Sequence, residues 1–389
     1  MSEPLVGRMR GFGTTIFAEM SALAAATGAI NLGQGFPDED GPRGVLRRAV
    51  EAIEGGRNQY PPGPGLPVLR EAVAAQRLAR YGQSYDPETE VLVTVGATEA
   101  VAAAILALVG PGDEVIAFEP FYDSYAASVA LSGATLCPVT LRPEGGRFTF
   151  DPDELRRAVT PRTRAILVNS PHNPCGTVFT RQELAAIAEL CVDRGLLAIT
   201  DEVYEYLVFD GVEHLPLASF PGMRERTVTI SSAGKTFSVT GWKTGWVCAP
   251  APLVAAVRTV KQFLTYVGAG PWQEAVAHGL AHETAWVEEL RRSLQAKRDR
   301  LIEGLESVGF QVFRPEGTYF VQADLRPLGH DDGLAFARAL PERTGVVCVP
   351  TQVFYADPAR GRHYVRFAFC KRAEVIDAAV ARLKGSPPG

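Results

Sequence analysis

No two of the six cysteines (Cys137, Cys175, Cys191, Cys248, Cys348 and Cys370) stand as a C-x-x-C pair. Neither a zinc site nor a disulfide framework is therefore expected, and the thiols read as buried and reduced. His172 has no second ligand at metal-binding spacing. No apolar run reaches bilayer-spanning length, and no signal-type stretch follows the first charges, which points to a cytoplasmic protein. A basic excess is missing too. The net charge of −5 leaves no electrostatic footprint for nucleic acid or an anionic membrane. Internal repeats and low-complexity tracts are also absent. What is there is a chain of 389 residues, 46% hydrophobic and 21% charged, long enough for a large core and two domains.

Apolar periodicity predicts helices over residues 15–25, 44–54 and 66–81. From residue 90 strands and helices alternate. Strands are expected at 90–95, 114–118, 134–140, 164–168, 196–200, 227–230 and 246–249, with helices from 96 to about 109 and over 182–194 and 252–264. That alternation predicts an α/β domain on a parallel sheet. A helical region over 272–307 is expected to bridge to a second domain, with strands near 310–313, 346–349 and 364–369 and helices over 332–340 and 372–383.

The chemistry centres on Ser231-Ser232-Ala233-Gly234-Lys235-Thr236-Phe237, which follows the β-branched run Thr227-Val228-Thr229-Ile230. Lys235 is thereby expected on a loop at a strand end, as a phosphate clamp or an amine nucleophile. Gly234-Lys235-Thr236 also looks like the tail of a nucleotide-binding loop, but Thr229 stands where that motif needs its first glycine. A solvated surface lysine is the bland alternative, and the nearby Phe237, Trp242 and Trp246 weigh against it.

Other strand ends carry Gly96-Ala97-Thr98, Tyr122, Asn173, Asp201, Tyr204, Ser232 and Lys243, which a parallel sheet gathers on its carboxyl edge. A small-residue strand-to-helix junction suits phosphate. Asp201 follows a buried strand, and as an ionised group it needs a cation; capping a following turn would serve it equally. Together these groups match a flat pyridine with a phosphate, a phenolic oxygen and an aldehyde. Pyridoxal 5'-phosphate is such a ligand.

Five motifs carry a resemblance that runs nearly end to end. They are Asn31-Leu32-Gly33-Gln34-Gly35-Phe36-Pro37-Asp38, Asn58-Gln59-Tyr60, Asn169-Ser170-Pro171-His172-Asn173-Pro174, Asp201-Glu202-Val203-Tyr204 and the Lys235 stretch. The chain resembles the class I/II, fold type I aminotransferases, in the subgroup of kynurenine, glutamine, methionine and actinobacterial N-succinyldiaminopimelate aminotransferases. The resemblance implies a large domain (43–275) with a mostly parallel seven-stranded sheet between helices and a smaller α+β domain (276–389). Residues 1–42 would be an arm that joins the small domain in part.

It implies pyridoxal 5'-phosphate joined to Lys235, with Asp201 on the ring nitrogen and Asn173 and Tyr204 on the ring oxygen. Ala97, Thr98, Ser232 and Lys243 would hold the phosphate, Tyr122 would stack on the ring, and Tyr60 would reach the phosphate from a second subunit of a homodimer. Arg366, with Asn169 and the Gly35 backbone, would clamp the substrate carboxylate. Phe17, Tyr319 and the loop over 266–271 would wall the pocket. Lys243 stands where several relatives have arginine, and Cys175 where threonine is usual.

The implied reaction is ping-pong transfer of an amino group from an L-amino acid to a 2-oxo acid, with 2-oxoglutarate and glutamate as one pair. Candidate substrates are N-succinyldiaminopimelate, kynurenine, glutamine and methionine; the small Gly268-Ala269-Gly270 run leans toward the first. A cysteine-S-conjugate β-lyase on the same cofactor is the nearest alternative. A regulator with a DNA-binding domain ahead of the motifs is not expected, since they begin near residue 30.

Overall fold

The computed structural model of the chain describes residues 5–388. The first four residues of the expected arm and the last of the expected small domain lie outside them. Seven strands form the central sheet: β1 (Val91–Val95), β2 (Glu114–Glu119), β3 (Thr135–Thr140), β4 (Thr163–Asn169), β5 (Leu197–Asp201), β6 (Thr227–Ser232) and β7 (Thr244–Cys248). Their order across the sheet is β1-β7-β6-β5-β4-β2-β3. All pairs are parallel except those of β7, which runs antiparallel to both β1 and β6.

The strands read as continuous apolar runs because both faces are covered. Along β2, Val115 and Ala117 join one core cluster while Ile116 and Phe118 join another on the opposite face. Helices Gly96–Leu108 and Ala251–Leu264 cover the first face, and helix Arg181–Arg194 covers the second. Each buried Val, Ile or Phe contributes roughly 1.5–3 kcal/mol.

A four-stranded antiparallel sheet follows, ordered Gln311–Phe313, Phe320–Asp324, Tyr364–Ala368, Val349–Pro350. Near the start of the chain, Ile30–Asn31 pairs in parallel with Val346–Val347, so the arm is stitched to this second unit.

Two expectations need correction, and one helix was not expected. The region over 272–307 is two helices, Gly270–His282 and Thr284–Glu306, because Glu283 leaves helical geometry at φ −104° and ψ 24°. The helix expected to end at 340 runs on as Gly333–Thr344, through Pro341, and Asp332 caps it through Leu334 N and Ala335 N. Residues 123–132, not assigned in the sequence, form helix Asp123–Ser132.

Five cysteines are buried and Cys137 is half-buried. Among the described residues no helix is long and apolar enough to cross a membrane, and no cluster of three or more acidic, Cys or His side chains could hold a metal.

Candidate active site

A cavity of about 320 Å³ opens at the carboxyl edge of β1, β4, β5 and β6. Lys243 reaches this edge for a different reason from the others. It precedes β7, and β7 is reversed, so its beginning lies beside the ends of its neighbours, with Gly245 opposite Ser232 and Thr244 opposite Val95. Gly245 is obligatory here, since a Cβ would stand 2.6 Å from the carbonyl carbon of Gly96. That close approach brings Lys243 against the first turn of helix Gly96–Leu108, where Lys243 Nζ is 3.4 Å from Thr98 Oγ1. Free N–H groups, the positive helix end and an ammonium thus converge on one spot, which suits a phosphate. Lys243 holds left-handed geometry, φ 52°, the kind of backbone cost that sites retain.

Lys235 sits in a one-turn helix, Ala233–Thr236, rather than on the loop expected. Its Nζ donates to Tyr319 Oη at 2.8 Å and to Gly35 O at 3.3 Å. Burial lowers its pKa to about 8. Thr229 lies inside β6, so no glycine-rich loop precedes Lys235, and the nucleotide-loop alternative fails. Gly35 must lack a side chain, since a Cβ would stand 2.5 Å from Phe320 Cζ.

Asp201 is 6% exposed. Its Oδ2 accepts from Tyr125 Oη at 2.6 Å and its Oδ1 from Val203 N at 3.3 Å. Burial nevertheless pushes its pKa up, and a cation against it would oppose that shift.

Arg366 is buried in strand Tyr364–Ala368, its Cζ 3.9 Å from the ring centroid of Phe320. It donates to Asn173 Oδ1 at 3.0 Å and to Gly33 O at 2.9 Å, while Nε has no partner. Burial lowers its pKa to about 10. Among the described residues no carboxylate lies within ion-pair distance of Lys235, Lys243 or Arg366. Three cations therefore share a cavity with one acid, Asp201. A doubly charged phosphate at Lys243, a protonated ring nitrogen at Asp201 and a carboxylate at Arg366 fit this imbalance.

Of the residues singled out in the sequence, Phe17, Gly35, Ala97, Thr98, Tyr122, Asn169, Asn173, Asp201, Tyr204, Ser232, Lys235, Lys243 and Arg366 all border the cavity. Asn169 is used within its own loop: Nδ2 donates to Asp201 O at 2.9 Å, and Oδ1 accepts from Asn173 N at 2.7 Å. Tyr319 is not a wall of the cavity; it lies behind Lys235, 1% exposed. Tyr60 is elsewhere, 80% exposed. The 266–271 loop is beside it, with the Cβ position of Gly270 3.5 Å from Gln59 O.

Sequence reasoning missed Gln34, Tyr125, Thr240 and Phe320, which also border the cavity. Tyr125 had a signal, since it stands with Phe121 and Tyr122 in a group of aromatics at the end of β2, but the helix that carries it, Asp123–Ser132, was not recognised.

The family model described as aminotransferase class I and II matches residues 27–383. Over 387 residues the chain is 59% identical to the probable N-succinyldiaminopimelate aminotransferase DapC of Mycobacterium tuberculosis, covering 97% of each chain. The solved structure of that organism's N-succinyldiaminopimelate aminotransferase matches with a TM-score of 0.97 at 59% identity, covering 98% of this chain and 99% of the other. The methionine aminotransferase of Escherichia coli is 40% identical over 385 residues, covering 98% and 99%. The aspartate aminotransferase of Thermus thermophilus with maleate matches at 33% identity and a TM-score of 0.91, covering 98% and 99%. The chain belongs to the class I and II aminotransferases, and is a pyridoxal 5'-phosphate-dependent transaminase of fold type I.

Proposed function

We propose that Lys235 would hold the cofactor at its aldehyde carbon, and that its amine moves the proton at the substrate Cα as general base and acid. Pyridoxal 5'-phosphate supplies, when bound, an electron sink for that carbon. Asp201 takes the ring nitrogen, braced by Tyr125. Asn173 and Tyr204 take the ring oxygen, Tyr122 the ring face, and Ala97, Thr98, Ser232 and Lys243 the phosphate. Arg366 and Asn173 hold the α-carboxylate. Asn169 braces the loop through Asp201 O and Asn173 N, and the second N–H of its amide, with the Gly35 backbone, joins the carboxylate clamp.

The observation that carries this reading is the buried Arg366, which borders the cavity, has no anion partner among the described residues and keeps an unpartnered Nε. A buried guanidinium is retained where a carboxylate will meet it, and its fork orients the bonds around Cα.

The same reading takes N-succinyldiaminopimelate as amino donor and 2-oxoglutarate as acceptor, supported by the 59% identity to relatives named for that substrate. It takes the working form as a homodimer in the cytoplasm. The exposed Tyr60, edge-on to Tyr266 at 5.5 Å, supports that assembly, since both rings would otherwise face water. Tyr60 and the Gly268-Ala269-Gly270 loop then complete the neighbour's site. Functionally we divide the chain into residues 43–275 and 276–389, with 1–42 shared.

A donor-by-acceptor panel tests the substrate: kcat/KM for the succinylated donor should exceed those for kynurenine, glutamine and methionine by tenfold or more. Pyruvate from an S-aryl cysteine as the faster product would instead favour the lyase. Mixing Tyr60→Phe and Lys235→Ala proteins should regenerate one intact site per mixed dimer if sites are shared.

A further inference from the structure

We propose that Tyr319 from behind and the Gly35 carbonyl from the cavity rim dock the reacting amine, and that Tyr319 is a positioning residue that turns the lone pair of Lys235 Nζ toward the cavity. The inference rests on the reading of Lys235 as that amine.

Tyr319 does not border the cavity. It stands on the other side of Lys235, where a separate void of about 10 Å³ lies among Ser238, Leu290, Leu294 and Cys370. The Tyr319 hydroxyl has one proton and donates it to Gly35 O at 2.6 Å. Toward Lys235, 2.8 Å away, it can therefore only accept. Burial holds the phenol well above its ordinary pKa, so it stays protonated. A second N–H of the same amine points at Gly35 O, 3.3 Å away.

A neutral amine has two N–H bonds, and this dock engages both. The remaining tetrahedral direction carries the lone pair and faces the cavity. In the ammonium form that direction carries the third N–H. When the lone pair takes a proton from the substrate Cα, an N–H bond forms, the C–H bond breaks, and its electron pair passes to the cofactor. The proton leaves again from the same vertex to the carbon that was the cofactor's aldehyde, where a C–H bond forms with the pair the cofactor held while the N–H pair returns to nitrogen, so the two hydrogen bonds to Tyr319 and Gly35 need not break.

The test uses apoenzyme, wild type and Tyr319→Phe, matched for fold by near-ultraviolet circular dichroism. The variant keeps the ring that packs edge-on against Tyr204 at 5.2 Å and Phe320 at 4.9 Å. Each is loaded with pyridoxal 5'-phosphate and reduced with borohydride, and the labelled peptide is identified by mass spectrometry. Wild type without an adduct at Lys235 would remove the reading of Lys235 itself, and the dock with it.

With the adduct in place, the decisive readout is the pH dependence of Lys235 labelling by trinitrobenzenesulfonate in the apo form. Losing an acceptor costs an ammonium more than a neutral amine, so the apparent pKa should fall by half a unit or more in Tyr319→Phe. In the loaded enzyme kcat should fall at least tenfold with KM within twofold. An unchanged labelling pKa together with an unchanged kcat would overturn the dock while leaving Lys235 intact as the reacting amine. Should Tyr319→Phe not fold, 3-fluorotyrosine at 319, a weaker acceptor of nearly the same shape, must give a smaller shift in the same direction; no shift would overturn the dock equally.

Discussion

The Tyr125 hydroxyl donates to Asp201 Oδ2 at 2.6 Å, and Val203 N donates to the other oxygen at 3.3 Å. These two donors let a carboxylate persist at the buried end of β5, where burial alone favours the neutral acid. Lys235 favours the charged form from beyond ion-pair distance, which leaves the acid open to a ligand cation.

Tyr125→Phe removes one donor and leaves the ring. The ionised carboxylate should become harder to maintain, and cofactor affinity should weaken by about tenfold, in line with roughly 1–2 kcal/mol for a charge-assisted bond. Equilibrium titration of the apo variant with pyridoxal 5'-phosphate measures this. Wild-type affinity would show that Val203 N is enough.

Lys235→Met should abolish turnover yet stabilise the apoenzyme near neutral pH. The folded pKa of Lys235 is depressed to about 8 from 10.5 by burial. The unfolded chain therefore binds the extra proton between those values, and the strain of the buried charge is fully present below about 8 and gone above 10.5. Denaturant unfolding should show the variant ahead by about 1–3 kcal/mol at pH 7, the gap closing as pH rises through that window. A gap constant with pH would contradict the assigned cause.

Arg366→Met should separate stability from function. The wild-type cation has no anion among the described residues and an idle Nε, so apo thermal stability should be unchanged or higher. The kcat/KM for any L-amino acid should fall at least a hundredfold, roughly the 3 kcal/mol or more lost when a buried carboxylate loses its partner. Equal losses of stability and activity would mean that the residue serves the fold alone.

Behind the site, Arg77 is fully buried, 3.0 Å from Glu202 and 3.2 Å from Glu205. Burial would raise the Glu202 carboxyl, but Arg77 and His214 outweigh it and bring it down to about 2 from 4.5. That stabilisation is present above 4.5 and lost as pH falls toward 2. Glu202→Gln should accordingly flatten the acid limb of the stability curve in that window and cost about 3–5 kcal/mol at pH 7. Urea unfolding at a series of pH values checks both.

Much of this site was legible because strand ends in an α/β sheet are marked by abrupt switches from apolar runs to small or polar residues. Asp201, Ser232, Asn173 and the start of helix Gly96–Leu108 all carry that mark, and all border the cavity. What was not legible lacks a local mark. The break at Glu283 has neither glycine nor proline to mark it. Pro341 reads as a stop, yet the helix continues through it to Thr344. Tyr319 and Phe320 are adjacent aromatics, and alternation along an extended chain sends one behind the lysine and the other to the cavity wall. Which is which depends on register, and register was set by pairing with Tyr364–Ala368.

The reversal of β7 has a mechanical corollary. Ser232 and Gly245 are opposed across one ladder, so Lys235 and Lys243 both lie in the connection that joins the two strands of a single covalent hairpin. The spacing between the amine that addresses the aldehyde and the ammonium that addresses the phosphate is gauged by that hairpin, like the jaws of a caliper, and not by how the two halves of the molecule settle on each other. Motions or substitutions that reshape the substrate side can therefore proceed while the coenzyme's length is still measured correctly.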